Sequence, residues 1–151
     1  MSEITIISGG QTGVDRAALD FAIGKSWDCG GWCPLGRKAE DGRIAPKYPL
    51  TESDSSEYEY RTELNVKDSD GTLLLYLETL DKGCQYTYNM AVTHHKPHLL
   101  VNMQDEQGFL QILNWIKMYN ISVLNIAGPR ESSYPGIYEE TKKYLHKLFV
   151  F

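Results

Sequence analysis

The sequence predicts an α/β domain in which helices cover both faces of a mostly parallel sheet. Short apolar runs alternate along the chain with segments whose apolar residues recur at helical spacing. Several runs are continuously apolar, which is typical of strands that are covered on both faces. The chain has 151 residues and no linker, repeat or low-complexity tract that would divide it. We therefore expect one three-layer domain over residues 1–151.

Four apolar runs predict strands. The first is short, rich in β-branched residues and followed by glycines, and the other three are continuous apolar runs. They cover Glu3–Ser8, Thr72–Leu77, His98–Met103 and Ser122–Gly128. The stretch Cys29–Cys33 carries a weaker strand signal.

Helical patterns fill the segments between these runs. The first follows the glycine-rich loop and places five apolar residues on one face, at Val14, Ala17, Ala18, Phe21 and Ala22. The same spacing predicts four later helices, over Tyr58–Val66, Tyr86–His95, Gln107–Tyr119 and Tyr138–Phe149. Because strand and helix alternate, we expect parallel strands joined by helical crossovers.

The segment Pro34–Ser56 interrupts this alternation. It contains three prolines and many charges and has no periodicity. A loop of this length in a compact domain is usually functional or disordered. A solvated loop is one interpretation, and a lid from which Arg37 reaches a ligand is the one we favour.

Composition restricts the classes of partner. The chain has 15 basic and 20 acidic residues, a formal charge of −5, which argues against a protein that coats nucleic acid or an anionic membrane. The sequence has no apolar run near the ~20 residues of a membrane span, and its N-terminus does not resemble a signal peptide. Three cysteines lack disulfide-framework spacing. We therefore expect a cytoplasmic protein without a membrane or nucleic-acid partner.

The glycine-rich loop after the first strand is the first candidate site. It carries the residues Gly9, Gly10, Gln11, Thr12 and Gly13. A glycine loop that leads into a helix presents backbone N–H groups and the positive end of the helix dipole, which suits a phosphate or another oxyanion. The alternative is a tight turn with close helix–strand packing. Arg16 would either flank the anion or be a solvated charge.

The loop "GPRESS" after the last predicted strand is the second candidate site. It places Gly128, Pro129, Arg130 and Glu131 at the carboxyl edge of the sheet, where open parallel sheets bind ligands. Glu131 could hold Arg130 in place, and Ser132 or Ser133 could cap the last helix. The alternative is an ordinary turn with a surface ion pair.

The sequence gives no evidence of a protein-held metal or of a serine nucleophile. Cys29 and Cys33 are four positions apart, not three as in C-x-x-C. The histidines at positions 94, 95 and 98 lack a cysteine or carboxylate at ligand spacing, and the motif G-x-S-x-G is absent.

Several long strings resemble a known family in this order: "SGGQTGVDRAALDFAI", "GGWCPLGRKAEDG", "YPLTE", "RTELNVKDSDGTLLL" and "LNIAGPRESSYPGIY". The chain is similar over almost its whole length to the molybdenum cofactor carrier family, a circularly permuted branch of the Rossmann-like SLOG superfamily. The resemblance implies a Rossmann-like fold. Members of that superfamily bind nucleotides or nucleotide-derived ligands, and some hydrolyse the N-glycosidic bond of nucleoside monophosphates.

The resemblance also implies a carrier that holds molybdenum cofactor (molybdopterin), a phosphorylated pterin–molybdenum species, without changing it chemically. It implies a homo-oligomer, either a dimer or a tetramer. The implied ligand contacts are the residues of the two loops named above together with Arg16, with Arg37 and Asn65 as additional contacts. Molybdate or tungstate, bound as an oxyanion by the same N–H groups, is a variant of this hypothesis.

One departure from the hydrolytic relatives weakens an enzymatic interpretation. They carry P-G-G-x-G-T-x-x-E after a strand, whereas this chain reads "TLDKGCQYTYNMA". Gly83 and Thr87 remain and can contribute to anion binding, but the helix start has Asn89 and no glutamate, so no general acid or base is evident. The alternatives are a nucleotide-processing hydrolase, with Glu40, Asp41 or Glu131 as its acid or base, and a sensor of a nucleotide-derived ligand.

Overall fold

The computed structural model of the protein describes residues 4–150. The strands within this range are β1 (Thr5–Ile7), β2 (Cys29–Gly30), β3 (Trp32–Cys33), β4 (Lys38–Ala39), β5 (Gly42–Arg43), β6 (Thr51–Glu52), β7 (Gly71–Tyr76), β8 (His98–Asn102) and β9 (Val123–Ala127). The helices are α1 (Val14–Gly24), α2 (Tyr58–Asp68), α3 (Lys82–Thr93), α4 (Gly108–Met118) and α5 (Ile137–Leu148). None of these helices is long and apolar enough to cross a bilayer.

The central sheet confirms the predicted α/β class. Its five strands run parallel in the order β2-β1-β9-β7-β8, so the last strand along the chain lies in the middle. The helix α1 packs on α5, and α2 packs on α3. The crossovers through α3 and α4 run in opposite directions across the sheet, so right-handed connections put these helices on opposite faces.

The core follows from the apolar runs. The strand β7 is buried at five of its six positions, and Ile6, Leu124 and Ile126 of the neighbouring strands are fully buried. The apolar face predicted for α1 is also fully buried, from Val14 to Ala22. Burial of each Val, Leu, Ile or Phe side chain among them stabilises the fold by about 1.5–3 kcal/mol relative to exposure.

The four predicted main strands are confirmed, with ends that differ by one or two residues; Glu3 lies outside the described residues. The helix α3 begins at Lys82, four residues before the predicted start, because the Asp81 carboxylate caps it by accepting from the Cys84 N–H at 2.9 Å. The weak signal at Cys29–Cys33 divides at Gly31 into β2 and β3, which belong to different sheets.

The segment Pro34–Ser56 is ordered and folds against the body of the protein. It contains the antiparallel hairpin β4–β5, and its strand β6 pairs with β3. A second apolar cluster fixes it, because Ala39, Ile44 and Tyr48 pack on Leu19 of α1 and on Cys33. The segment thus lies over the glycine-rich loop.

Candidate functional site

A cavity of about 180 Å³ opens at the carboxyl edge of the central sheet. Its walls are the loops after β1 and β9 and the first two turns of α2 and of α3. The lining residues are Gly9, Gln11, Asp15, Tyr58, Glu59, Arg61, Thr62, Asn65, Asp81, Lys82, Gly83, Tyr86, Thr87, Asn125, Ala127, Gly128 and Arg130. This is the edge at which open parallel sheets bind their ligands.

The cavity brings together one half of the ligand contacts expected from the sequence. Those that line it are Gly9, Gln11, Asn65, Gly83, Thr87, Gly128 and Arg130. Those that do not line it are Gly10, Thr12, Gly13, Arg16, Arg37, Pro129 and Glu131. Of this second group, Thr12 contacts Glu40, whereas Arg16, Arg37 and Glu131 hold parts of the fold together.

Three amides of the glycine-rich loop are directed into the protein. The Gly10 N–H donates to Ser8 Oγ at 3.3 Å, the Gln11 N–H to Asp15 Oδ2 at 3.4 Å and the Thr12 N–H to Gln11 Oε1 at 3.0 Å. These three amides are already hydrogen-bonded, so they form a closed turn and not an open cradle.

Two of the glycines are required by close packing. A Cβ on Gly13 would lie 2.3 Å from the Pro129 carbonyl oxygen, which accepts the Val14 N–H at 3.2 Å. A Cβ on Gly9 would lie 1.9 Å from Arg61 Nη1. The packing alternative considered from the sequence therefore accounts for these two positions.

A buried ion pair lies at the base of the cavity. Arg61 Nη1 is 3.5 Å from Asp15 Oδ2 and donates to the Gly9 carbonyl at 2.8 Å, and both side chains are about 90% buried. Burial raises the pKa of Asp15 to about 6, against the opposing effects of Arg61 and the Gln11 N–H. The sequence analysis missed this pair, although an arginine one turn before Asn65 was a signal.

Gln11 contributes the one cavity-lining side-chain amide whose nitrogen has no partner. Its Oε1 accepts from the N–H groups of Thr12 at 3.0 Å and of Glu40 at 2.8 Å, which fixes the orientation of the amide. Its Nε2 is buried and has no hydrogen-bond acceptor among residues 4–150. Such a donor costs about 1–3 kcal/mol unless a partner is supplied.

The first turn of α3 forms the opposite wall. The N–H groups of Lys82 and Gly83 have no acceptor in the part of the chain that the structure describes. Unpaired N–H groups at a helix start and the positive end of its dipole attract anions. Thr87 lies one turn further, and its hydroxyl donates to the Gly83 carbonyl at 2.9 Å.

Aromatic and cationic side chains meet at the mouth of the cavity. The ring of Tyr58 has three cations around it: Lys38 Nζ is 4.6 Å from its centroid, and the guanidinium carbons of Arg61 and Arg130 are 5.4 and 5.5 Å away. Tyr86 of α3 also lines the cavity. The mouth therefore combines an aromatic surface with positive charge.

Arg37 organises the long segment and does not line the cavity. Its guanidinium donates to the main-chain carbonyls of Ile44 at 3.0 Å, Ala45 at 2.8 Å, Tyr48 at 2.9 Å and Leu50 at 3.3 Å. These bonds use four of its five N–H donors, so Arg37 is held by the long segment and is not directed to a ligand in the cavity.

Arg16 is engaged in a similar way. It donates to the Gly10 carbonyl from Nε at 3.1 Å and from Nη2 at 3.0 Å, and it forms an ion pair with Asp41 at 3.0 Å. It therefore links the glycine-rich loop to the hairpin β4–β5.

Asn65 reaches the cavity with its amide already paired. Its Oδ1 accepts from the Trp32 N–H at 2.8 Å, and its Nδ2 donates to the Trp32 carbonyl at 3.0 Å. These two bonds join α2 to β3. The Trp32 ring nitrogen donates to Asp68 at 2.8 Å.

Glu131 caps the last helix. Its carboxylate accepts from the N–H groups of Gly136 at 2.7 Å and Tyr138 at 3.0 Å, at the start of α5. The expectation that Ser132 or Ser133 caps this helix was wrong, because the loop brings the longer Glu131 side chain to the free N–H groups. Arg130, which the sequence suggested Glu131 could hold, lies near Glu40 instead, with its Nη1 3.9 Å from Glu40 Oε1.

Hydrogen-bond donors from the two candidate loops surround the Glu40 carboxylate. Its carboxylate accepts from the Thr12 hydroxyl, from Ser132 Oγ at 2.6 Å and from the Ser132 N–H at 3.2 Å. Although partial burial acts in the opposite direction, the hydrogen bonds from Ser132 and Thr12 lower the pKa of Glu40 below its usual value.

Comparisons with known proteins agree with this architecture. The family model described as "Circularly permutated YpsA SLOG family" matches residues 6–149. A crystal structure at 1.45 Å resolution, of a protein from Syntrophus aciditrophicus SB named "Putative molybdenum carrier protein", is 44% identical in sequence and has a TM-score of 0.94. The match covers 97% of this chain and 95% of that chain. A search of curated proteins gives no significant match. The resemblance inferred from the sequence is confirmed, and the chain belongs to the circularly permuted YpsA family of SLOG proteins.

Proposed function

We propose that the protein binds and carries a phosphate-bearing small molecule, molybdenum cofactor, without converting it. A ligand-binding role is supported by the family and by the name of the 44%-identical neighbour. The identity of the ligand, and its transport without conversion, are argued from the chemistry of the cavity.

The observation that carries the proposal is the unpaired amide of Gln11. Its buried Nε2 lacks an acceptor within residues 4–150, and Gln11 lines the same cavity as the free N–H groups at the start of α3. An oxygen of a bound ligand would satisfy these donors. Arg130 and Lys82, which also line the cavity, add positive charge for a phosphate.

The remaining lining residues suit a planar heterocycle better than a bare anion. The two tyrosines offer aromatic faces, and Asp15 and Asp81 offer carboxylate oxygens that would accept from ring N–H groups. A pterin carries both N–H donors and carbonyl acceptors around a flat ring. A cavity with both kinds of partner therefore favours it over inorganic phosphate alone.

Transport without conversion is supported by the three carboxylates considered from the sequence as acid or base, because each of them already has partners within the protein. Glu40 is hydrogen-bonded to Thr12 and Ser132, Asp41 is paired with Arg16, and Glu131 caps α5. A general acid or base must reach the reacting bond of the substrate. In these positions all three serve the fold or the loops.

The direct test is the content of the protein purified without oxygen. We expect native mass spectrometry to find a pterin-sized ligand and fluorescence to show pterin emission. Gln11→Ala and Arg130→Ala should each reduce the retained pterin at least about tenfold, a loss of roughly 1.4 kcal/mol. The matched control, Gln111→Ala, removes an exposed glutamine of α4 and should retain the ligand fully. Undiminished retention in both cavity variants would contradict the site.

A second candidate function, nucleotide processing, is favoured by one observation. The buried carboxyl of Asp15 lines the cavity, and burial raises its pKa to about 6, close to the working range of a general acid or base. Release of free base from nucleoside monophosphates, lost in Asp15→Asn and kept in Glu131→Gln, would establish this function in place of the first.

We also propose that the protein acts in the cytoplasm, as its cysteine spacing favours, and as a homo-oligomer, as the resemblance implies. Native mass spectrometry of the same sample measures the number of subunits. A protein that is monomeric at all accessible concentrations would contradict the oligomer.

A further inference from the structure

Glu40 is bound as a ligand would be bound. Its two carboxylate oxygens receive the Thr12 hydroxyl, the Ser132 N–H and the Ser132 hydroxyl, and Arg130 Nη1 lies 3.9 Å from Oε1. Three neutral donors and one guanidinium around a pair of oxygens are what a phosphate or another tetrahedral oxyanion requires. The side chain that fills this position belongs to the hairpin β4–β5 of the long segment.

The donors are fixed independently of Glu40. Thr12 and Ser132 belong to the loops that follow β1 and β9, two neighbouring strands of the central sheet. The Thr12 hydroxyl oxygen accepts from the Glu131 N–H at 3.1 Å, so its own proton is directed to another acceptor. Backbone contact at Gly13 joins the two loops. The body of the protein thus presents a rigid group of donors, and a peripheral hairpin supplies the acceptor.

This group of donors is continuous with the cavity. Gln11 and Arg130 line the cavity, and both also contact Glu40, Gln11 through the Glu40 N–H at 2.8 Å. The cavity of about 180 Å³ is smaller than the roughly 300–1,000 Å³ of most small-molecule sites. Withdrawal of Glu40 would extend it toward Thr12 and Ser132.

We infer that Thr12, Ser132 and Arg130 form an oxyanion site which Glu40 fills in the free protein, and that the phosphate group of the ligand displaces the Glu40 carboxylate and releases the hairpin Lys38–Arg43. The inference rests on the proposed function in requiring an anionic ligand. It adds to it a position for the anionic group and a movement that accompanies binding.

The contacts of the hairpin are consistent with a movement confined to it. Apart from Glu40, its ties to the body of the protein are the ion pair of the half-exposed Asp41 with Arg16, the contact of Lys38 with the Tyr58 ring and the burial of Ala39. The chain that follows is held separately, because Arg37 binds the carbonyls of Ile44, Ala45 and Tyr48. The hairpin can therefore leave the site while the rest of the segment stays in place.

An internal competitor lowers the apparent affinity for the external anion. When the binding-competent state is only a fraction of the population, the apparent dissociation constant rises by the inverse of that fraction. Removal of the Glu40 carboxylate should therefore strengthen binding. A structural bond without this role would give the opposite result, because its loss would only loosen the loops.

The test is calorimetric titration of inorganic phosphate and of molybdate into the wild type, Glu40→Ala and Asp41→Ala. The Asp41 variant is the matched control, since it removes the same charge from the adjacent position of the same hairpin. We expect Glu40→Ala to bind at least one of the two anions about tenfold more tightly than the wild type. Asp41→Ala should gain no more than about threefold, because it removes one tie of the hairpin but keeps the competing Glu40 carboxylate. Thr12→Val added to Glu40→Ala should reverse the gain.

Hydrogen exchange of the wild type gives a second readout that needs no variant. Saturating anion should accelerate exchange at the amides of residues 38–43, above all at Glu40, whose N–H donates to Gln11 in the free protein. Unchanged affinity in Glu40→Ala, an equal gain in Asp41→Ala, absence of anion binding in all three proteins, or unaltered exchange would each overturn the inference.

The experiments distinguish failure of the displacement mechanism from failure of the proposed ligand. A protein that retains a pterin but gains no anion affinity in Glu40→Ala keeps the proposed function and loses the displacement mechanism. A protein that gains anion affinity in Glu40→Ala but never retains a pterin keeps the oxyanion site and loses the cofactor assignment.

Discussion

The buried charges of Asp15 and Arg61 neutralise each other only in part. Their closest nitrogen and oxygen atoms are 3.5 Å apart, and the Gln11 N–H that also faces the carboxylate is 3.4 Å away. Both bonds are long for charged groups, so burial dominates the balance and raises the pKa of Asp15 to about 6. Buried pairs of this kind contribute little stability, and the position in the cavity points to a role at the site.

The raised pKa of Asp15 predicts a specific dependence of stability on pH. The native state holds this proton up to about pH 6, whereas the unfolded chain releases it near the ordinary value of about 3.9. As the pH rises from 4 to 7, the contribution of Asp15 to the free energy of unfolding should fall by about 2 kcal/mol.

Urea unfolding of the wild type and Asp15→Asn across this range measures the effect. The difference in the free energy of unfolding between the two proteins should shift in favour of the variant as the pH rises, whatever constant offset the loss of the Arg61 partner adds. A difference independent of pH would show that folding does not raise the pKa of Asp15.

Some of the predicted contacts line the cavity because they directly follow the end of a strand. Gly9 and Gly128 come directly after β1 and β9, so their place at the cavity followed from the fold class. The pairing of Asp15 with Arg61, 46 positions apart, could not be predicted, because it depends on how α2 packs over the first loop. The occupancy of Arg37 by four carbonyls likewise depends on the path of a segment without periodicity.

At the scale of single elements, the start of α5 depends on one side chain. Glu131 accepts two of the first N–H groups of this helix, and Gly136 turns the chain into it with a positive φ of 94°. A helix start without such acceptors leaves its N–H groups unpaired. The cap therefore explains Glu131 without any role in ligand chemistry.

We predict that Glu131→Ala lowers the free energy of unfolding by about 1 kcal/mol, the usual cost of a lost cap. Glu131→Gln retains an oxygen acceptor and should lose less. Both variants should retain ligand like the wild type, as judged by the mass spectrometry described above. Unchanged stability together with lost ligand would instead place Glu131 at the site.

The long segment between β3 and α2 is a second element that depends on one residue. Four carbonyls converge on Arg37, which itself has a φ of 55°. The sequence marked this segment as functional or disordered, because prolines and mixed charges hide the apolar residues that anchor it. Ala39, Ile44 and Tyr48 reach the second apolar cluster from this segment, with the partly buried Leu50 packed against it, and their spacing forms no period.

We predict that Arg37→Met loosens this segment while the central sheet stays intact. Hydrogen exchange at the amides of Ile44 and Leu50 should accelerate about tenfold or more, because the local opening costs less free energy. Exchange in β7 and β9 should be unchanged. The matched control is Arg43→Met, which removes a single bond to the Gly36 carbonyl at 3.1 Å and should have little effect. Equal effects in both variants would contradict the role of Arg37.

At the scale of the whole molecule, the first and last helices are joined by aromatic side chains. Phe149 follows α5 and is fully buried, with its ring 5.8 Å from Phe21 of α1 and 5.3 Å from Trp27. His146 of α5 also meets Phe21 edge to face at 4.9 Å. These contacts close one face of the sheet, so the stability of distant parts of the chain depends on them.

We predict that Phe149→Ala lowers the free energy of unfolding by about 3–5 kcal/mol, the usual cost of deleting a buried ring. Val150→Ala, at the neighbouring exposed position, should stay within about 0.5 kcal/mol of the wild type. Urea denaturation followed by circular dichroism measures both. A small loss in Phe149→Ala would show that α5 docks without this ring.

Because β9 is both the central strand and the last one along the described chain, the five-stranded sheet can be completed only late in synthesis. The strand pairs with β1 on one side and with β7 on the other, so it is the only link between the two halves of the five-stranded sheet within the described residues. While the ribosome is still translating the residues before Val123, β1 and β7 have an open gap between them and keep their hydrogen-bonding edges exposed. A nascent chain of this protein therefore needs protection from aggregation, by chaperones or by rapid elongation, until its last strand emerges.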